Sequence, residues 1–364
     1  MKISQIISDL ENFAPLALQE DFDNSGLQVG DVQQEVKGIL LCLDVTEATL
    51  DEAINLGCNL IISHHPLLFK FLRKISGKNY IERCVIKACK NDITVYACHT
   101  NLDNAAGGVN YHLAEKIGLK NINALCPKKN SLLKLVTFVP LNFAETVRNA
   151  LFNAGAGHIG NYDSCSFNTE GKGSFKANEN ANPFVGKTGE LHTESEIRIE
   201  TILPVSRKTA VLRALFDTHP YEEPAFDLYM LENEWKNVGS GIVGELSSNE
   251  EEETFLQKIK TLFNLKVLKH STLSGKKIKK VALCGGSGAF LIPEAILAGA
   301  DIFITGEAKY NDFYDVENHI LLAVIGHYES EVCTKEIFYN IITKKITTFA
   351  VHFSKVDTNP VNYI

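Results

Sequence analysis

The chain has 364 residues, of which 45% are hydrophobic and 22% are charged, as in ordinary globular proteins with a sizeable core. Its formal net charge of −8 argues against nucleic acid or an anionic membrane as a partner and favours a small molecule. We expect a cytoplasmic protein, because the N-terminal sequence offers neither a signal peptide nor a membrane span. The nine cysteines form no CxxC pair and are expected to be reduced and buried.

A repeated βαβ unit is the first organised feature along the chain. Residues 36–65 predict a strand, a helix that ends at Gly57, and a second strand over 60–63. Residues 278–307 align with them without a gap, share eight identities over thirty positions, and repeat the pattern with a helix that ends at Gly299. The repeat predicts two related α/β halves, although features common to all βαβ units could also produce the matches.

Two adjacent histidines, His64 and His65, end the strand over 60–63, and Pro66 prevents that strand from continuing. Neighbouring side chains of a strand point to opposite faces, so both rings can serve one site only where the backbone has left the strand. The pair then fits one ligand to each of two neighbouring metals better than two ligands to one. A hydrogen-bonded pair of surface histidines is the alternative.

The next predicted strand of each half is followed by a histidine and, four residues later, by a carboxylate. The pairs are His99 with Asp103, after residues 94–98, and His327 with Glu331, after residues 321–325. If a helix follows the second of these strands, the side chains of His327 and Glu331 lie one turn apart on one face of that helix. Either pair alone could be a surface hydrogen bond, but their equivalent positions favour convergence on one site.

These residue types predict an open, hydrolytic metal site. Histidine, aspartate and glutamate without cysteine favour Zn, Fe, Mn, Ni or Co over a closed structural zinc site. Two divalent metal ions could share one carboxylate and hold a water between them, and we predict Glu331 as this bridge. The predicted ligands are His64, His65, Asp103, His327 and Glu331.

Four further features flank this set. We predict His99 and Glu307 as catalytic residues: His99 could orient Asp103 or transfer protons, and Glu307, which occupies the position of a ligand histidine in the repeat, could accept a proton. A hydrogen-bonded core histidine is equally compatible with His99. Asp44 fits a helix cap better than a ligand. The glycine-rich residues 285–288 could cradle a phosphate or form a simple tight turn.

The middle of the chain predicts an inserted domain. Strands over 133–140, 162–177, 197–204 and 225–231 and helices over 143–153 and 207–218 give the order βαββαβ of a ferredoxin-like domain. Residues 172–189, rich in Gly, Asn and Ser, predict a mobile loop or a long hairpin, and the stretch HPYEEP at 219–224 indicates structure or subunit contact. The predicted division is 1–129, first half of a metal-binding α/β domain; 130–231, the insertion; and 232–364, second half.

The chain resembles the NIF-three-like family in five motifs that occur in order. These are NSGLQVG at 24–30, SHHP at 63–66, HTNLD at 99–103, TGE at 305–307 and GHYESE at 326–331. The middle resembles the PII/CutA-like insertion of longer bacterial members. The resemblance implies a dinuclear metal site at the ligands named above, a toroidal homohexamer, and the activity of GTP cyclohydrolase 1 type 2 homologues, in which hydroxide attacks C8 of guanine and formate leaves.

We therefore expect a divalent-metal-dependent hydrolase whose small-molecule substrate is GTP or another nucleotide or phosphoester. A metal- or metabolite-binding regulatory ring protein without turnover, in which the insertion senses a ligand, is the alternative.

Overall fold

The computed structural model of the chain describes residues 1–316, 319–344 and 349–364. The chain divides into two compact units, Met1–Lys128 with Lys236–Ile364 and Lys129–Trp235. None of the described helices is long and apolar enough to cross a membrane.

The secondary structure of the described residues confirms the mixed α/β class. The strands are β1 (Gly26–Val29), β2 (Gly38–Cys42), β3 (Leu60–Ser63), β4 (Thr94–Ala97), β5 (Lys120–Pro127), β6 (Leu132–Pro140), β7 (Ser166–Lys176), β8 (Leu191–Pro204), β9 (Phe226–Met230), β10 (Gly239–Glu251), β11 (Lys269–His270), β12 (Lys277–Cys284), β13 (Ile302–Thr305), β14 (Leu321–Val324) and β15 (Ala350–Phe353). The α-helices are α1 (Ile3–Phe13), α2 (Glu47–Asn55), α3 (Tyr80–Lys90), α4 (Thr100–Asn104), α5 (Val109–Ile117), α6 (Ala144–Asn153), α7 (Lys208–Thr218), α8 (Glu252–Leu262), α9 (Ile292–Leu297), α10 (Asp312–Asp315), α11 (His327–Glu331) and α12 (Thr334–Thr343).

The first unit contains two sheets that repeat one arrangement. Their strand orders are β1-β4-β3-β2-β15 and β11-β14-β13-β12-β10-β5. The first contains four adjacent parallel strands, β4 to β15 in that order, and the second contains three, β14-β13-β12. Leu41 pairs with Ile62 in the first sheet, and Leu283 pairs with Ile304 in the second. These are the residues that the sequence repeat aligns, so the two halves share strand register as well as sequence.

The parallel strands form the buried centre of each half. Every residue of β2, β3, β4, β13 and β14 is buried, as expected of parallel strands covered on both faces. Cys42 and Cys284, at the ends of β2 and β12, are buried free thiols, as predicted. The polar residues that follow these apolar strands therefore emerge together at the carboxyl ends, where α/β sheets place their ligands.

Helix α2 begins directly behind one of these strand ends. Its N-cap is Thr46, whose hydroxyl accepts a hydrogen bond from the backbone N–H of Thr49. The expected cap role of Asp44 is therefore wrong, because Thr46 lies nearer the first helical turn and satisfies that turn itself. The Asp44 carboxylate is left to make other contacts.

The second unit has the predicted order βαββαβ. Its antiparallel sheet runs β7-β8-β6-β9, and helices α6 and α7 supply Val147 and Val211 to a core shared with Leu135 and Ile199 of the sheet. Strand β8 begins at Leu191, earlier than the predicted 197. It is longer than predicted because every residue of β7 pairs with it in a long hairpin. Sequence periodicity could not show this extension, since both strands are largely polar there.

Candidate metal centre

The strand ends of the first unit bring the five predicted ligands together. His64 and His65 follow β3 directly, where the chain has left the strand and both rings can face one space. Asp103 lies on the short helix α4 that follows β4, and His327 and Glu331 are the first and last residues of α11. Helix α11 follows β14 as expected, and the side chains of His327 and Glu331 lie one turn apart on it.

The Glu331 carboxylate lies at the centre of the cluster and is only 3% exposed. Its Oε2 lies 3.0 Å from Nε2 of His65 and 3.0 Å from Nε2 of His327. Its Oε1 lies 3.7 Å from Nε2 of His64, which is also 3.7 Å from Oδ1 of Asp103. Each oxygen of one carboxylate thus faces a different group of potential metal ligands.

His64 carries the strongest indication that the cluster fits a cation. Its Nδ1 donates a hydrogen bond to the carbonyl oxygen of Cys98 at 2.8 Å, so in the neutral ring Nε2 carries a lone pair. Among the described residues this fully buried Nε2 has no hydrogen-bond partner. Burial also lowers the pKa of His64 to about 4, which keeps the ring neutral. A buried lone pair facing two carboxylates at 3.7 Å fits a metal ion better than a hydrogen bond.

His65 and His327 are also held through Nδ1, but by carboxylates rather than by a backbone carbonyl oxygen. Nδ1 of His65 lies 2.7 Å from Oδ1 of Asp44, and Nδ1 of His327 lies 3.0 Å from Oε1 of Glu307. Such contacts fix the ring so that Nε2 can bind a metal. Burial lowers the pKa of His65, but hydrogen bonds to Asp44 and Glu331 outweigh it and raise that pKa to about 10. A metal would therefore displace a proton from this ring.

The two buried carboxylates repel each other in the absence of a cation. Burial, reinforced by the charge of Glu331, raises the pKa of Asp103 well above its usual range. Burial acts on Glu331 in the same direction, but the surrounding imidazoles hold the pKa of Glu331 well below its usual range. Added positive charge would stabilise both carboxylates in their ionised form.

His99 lies beside the cluster but contacts a different carboxylate from the one expected. Its ring centre is 5.2 Å from that of His64, and its Nδ1 is 2.7 Å from Oδ1 of Asp23 rather than from Asp103. Asp23 also accepts hydrogen bonds from Ser25 and Thr100. Burial opposes ionisation of Asp23, but the contact with His99 outweighs it and lowers the pKa of that carboxyl. The potential ligand atoms of His64, His65 and His99 all lie within 4.8 Å of one another.

The glycine-rich turn after β12 packs against the cluster. The backbone N–H groups of Gly285, Gly286 and Gly288 donate to Asn110, Ser330 and Thr305, so these three amides are not free to cradle a phosphate. The structure thus favours the tight turn. A Cβ atom at Gly286 would lie 2.2 Å from Oε1 of Glu331, so only glycine leaves room for this carboxylate.

The residues that sequence reasoning missed are the partners of the histidines. Asp44 and Asp23 precede His65 and His99 by 21 and 76 residues, and nothing in local spacing connects them. The sequence feature that could have pointed to Asp44 as part of the site is its place just after β2, the strand adjacent to β3. Its Oδ2 also accepts a hydrogen bond from Thr358, 2.6 Å away.

A cavity of about 460 Å³ opens beside the cluster. His65 and His327 line it, and these side chains are 23% and 32% exposed, whereas His64 is fully buried. Lys269 and Tyr363 line the same cavity. The volume falls within the range of small-molecule sites.

Comparison with known proteins identifies close relatives over the whole chain. Residues 1–360 match the sequence profile of the Duf34/NIF3 (NGG1p interacting factor 3) family. Proteins of Halalkalibacterium halodurans and Bacillus subtilis, both named "GTP cyclohydrolase 1 type 2 homolog", are 39% and 38% identical to it, over 100% and 99% of this chain and 100% and 98% of theirs. A solved Bacillus cereus protein related to NIF3 matches with a TM-score of 0.88 and 37% identity, over 100% of this chain and 99% of the other.

Proposed function

Since the chain belongs to the Duf34/NIF3 family, we propose that its histidine and carboxylate cluster holds two divalent metal ions and that the protein is a metal-dependent hydrolase. The proposed ligands are His64, His65, Asp103, His327 and Glu331. Zn, Fe, Mn, Ni and Co all suit such a nitrogen and oxygen donor set.

The position of Glu331 carries this proposal. Its Oε1 faces Nε2 of His64, which also faces Asp103, and its Oε2 faces His65 and His327. A carboxylate whose two oxygens face different histidines is suited to bridging two ions. His99, whose potential ligand atom lies near those of the first two histidines, adds a further donor.

Divalent metals bound there would act as Lewis acids and supply activated water near neutral pH. The protein itself supplies orientation and proton binding. Asp44 and Glu307 fix the rings of His65 and His327 through their Nδ1 atoms, so both Nε2 atoms point inwards. A hydrogen bond from the Ser287 hydroxyl and the nearby His327 lower the pKa of Glu307, which keeps this carboxylate ionised beside His327.

The names of the relatives suggest a GTP cyclohydrolase reaction, in which the guanine ring opens at C8 and formate leaves. We propose that the substrate, GTP or a related nucleotide, enters through the 460 Å³ cavity. Lys269 there offers a cation for a phosphate group, and the Tyr363 ring offers a surface against which a base can stack.

The decisive experiment compares Glu331→Gln with Glu336→Gln. The first variant removes the central carboxylate, and the second removes an exposed glutamate five residues further along. Metal-loaded proteins are incubated with a panel of nucleotides, and formate and phosphate release are measured. We expect turnover and a metal content near two per chain in the parent and in Glu336→Gln, and loss of both in Glu331→Gln.

Turnover that survives in Glu331→Gln, or a metal content below about one per chain after reconstitution, contradicts the dinuclear hydrolase. Metal-dependent nucleotide binding without turnover in the parent would instead favour the regulatory protein. A homohexamer, implied by the family resemblance, is our proposed assembly, and light scattering of the purified chain measures it.

A further inference from the structure

The second unit contains its own cleft, of about 810 Å³. It lies between the β7–β8 hairpin, the loop over residues 177–190 that joins those strands, and the segment 219–225. A hydrogen bond of 2.9 Å from the backbone N–H of Asn182 to Oε2 of Glu222 joins the loop to that segment. The cleft lies wholly within one compact unit and is large enough for a small organic molecule.

Four aromatic side chains line this cleft, namely Phe138, Phe175, Phe184 and Tyr221. The ring centres of Phe175 and Tyr221 are 5.9 Å apart with an interplanar angle of 61°, and those of Phe184 and Tyr221 are 6.4 Å apart at 47°. His219 accepts a hydrogen bond from the backbone N–H of Tyr221 at 3.0 Å, which holds that residue in place. The π faces of aromatic rings attract organic cations.

A buried carboxylate lies beside these rings. Glu196 lines the cleft, is only 7% exposed, and accepts a hydrogen bond from the Tyr221 hydroxyl on Oε1 at 2.8 Å. Among the described residues no lysine, arginine or histidine forms an ion pair with it. A Cβ atom at Gly173 would lie 2.2 Å from its Oε2, so the glycine makes room for the carboxylate. A buried carboxylate without a cation is costly unless a ligand supplies one.

The charges around the cleft favour the same ligand. Glu170, Glu222 and Glu223 also line it, against two cationic side chains, Lys172 and Arg198. Arg198 is paired with Glu200 at 3.0 Å, so part of its charge is already neutralised.

We propose that this cleft binds a small organic ammonium ion, with the ammonium group against Glu196 and its carbon chain among Phe175, Phe184 and Tyr221. An inorganic cation would gain from the carboxylate but not from the apolar walls. A neutral molecule would leave the carboxylate without a counter-charge, and an anion would be repelled. The HPYEEP stretch thereby gains a role in ligand binding, since His219 and Tyr221 shape the site.

The test uses three probes with the same four-carbon chain: butylammonium, butan-1-ol and butyrate. Binding to the full chain at pH 7 is measured by saturation-transfer NMR, after EDTA treatment so that no amine can bind a metal. We expect butylammonium to bind and the alcohol and carboxylate to bind at least tenfold more weakly. Glu196→Gln should weaken butylammonium binding at least tenfold, and Phe175→Leu severalfold.

Asp227→Asn is the matched control, because it removes one negative charge from the same sheet outside the cleft. Its affinity for butylammonium should stay within twofold of the parent value. Equal binding of butan-1-ol, equal weakening by Asp227→Asn, or absence of butylammonium binding would overturn the proposal. If Glu196→Gln fails to fold, Phe175→Leu tests the same site, and an unchanged affinity there would count against it.

Discussion

Replacing Gly286 with alanine should disrupt the metal centre from a position that supplies no ligand. The new Cβ would lie 2.2 Å from Oε1 of Glu331, whereas ordinary contacts begin at 3.4 Å, so the carboxylate must move by about 1.2 Å. Metal-ligand distances are typically held to within about 0.2 Å. The required movement is several times that tolerance, and we expect metal affinity to fall at least about 100-fold, or about 2.7 kcal/mol.

Gly299 provides a control that isolates this contact. Gly286 and Gly299 both have left-handed backbones, with φ of +59° and +68°, but a Cβ at Gly299 would meet nothing within 4 Å. Both alanine variants therefore lose about 1 kcal/mol of folding stability to backbone strain. Only Gly286→Ala should also lose metal.

The assay combines elemental analysis with a competition titration against a coloured chelator, and urea unfolding of the metal-free proteins measures the shared strain. If Gly286→Ala binds two metals with the affinity of Gly299→Ala, Glu331 is not a bridging ligand held by close packing, and the reasoning fails.

The remaining predictions concern the residues around the ligands and the second unit. Asp44→Asn should weaken metal binding about 10- to 100-fold, because the ring of His65 loses its charged partner; an unchanged affinity in the titration would rule out this positioning role. Glu307→Gln should do the same through His327, and a loss of turnover at unchanged metal content would instead make Glu307 a proton acceptor only. Each bound metal ion, at a free concentration 100 times its Kd, should raise the free energy of unfolding by about 2.7 kcal/mol, measured as a rise in Tm that EDTA reverses. Burial lowers the pKa of His219, so the unfolded chain takes up this proton first, and stability should fall as the pH drops below about 6.5. Hydrogen exchange in β6 at pH 5.5 and 7.5 measures this loss, which His219→Gln should reduce.

The parts of the fold that follow from short, strongly apolar segments could be predicted from sequence. The bounds of β3 were predicted residue for residue, since this strand is a buried apolar run with glycine and polar residues beside it. The ligand cluster was predictable because the repeat places its members at strand ends that parallel pairing makes neighbours. The division of the chain at residues 130 and 231 stays a prediction.

The carboxylate partners of the histidines could not be predicted, because their contacts join distant parts of the sequence. Asp44 lies shortly before helix α2, as a cap residue would. Only the structure shows that Thr46, the residue directly before the helix, is its N-cap. A long hairpin was one of the two predicted alternatives for residues 172–189, but the start of β8 at Leu191 was missed, since strands exposed to solvent need no alternating apolar residues.

The two halves contribute different residue types to the cluster at equivalent positions of the repeat. Residues 65 and 307 align in the repeat, but they play different parts. His65 is the histidine of a pair whose carboxylate is Asp44, whereas Glu307 is the carboxylate of a pair whose histidine is His327. Both resulting pairs point a histidine Nε2 at Glu331 from 3.0 Å. The centre is therefore nearly symmetric in chemistry, although the residues that produce it do not correspond in the repeat.

This asymmetry reflects the close packing around two glycines of the second half. The positions that match Asp44 and His64 in the second half are Gly286 and Gly306. A Cβ at Gly306 would lie 2.6 Å from the carbonyl oxygen of Gly286, and one at Gly286 would contact Glu331 at 2.2 Å. A side chain at Gly286 would need the room that the Glu331 carboxylate occupies, and one at Gly306 would need the room of the Gly286 backbone and the Ser330 hydroxyl. Glycine at both positions therefore lets the turn pack closely, with the Glu331 carboxylate facing His65 and His327.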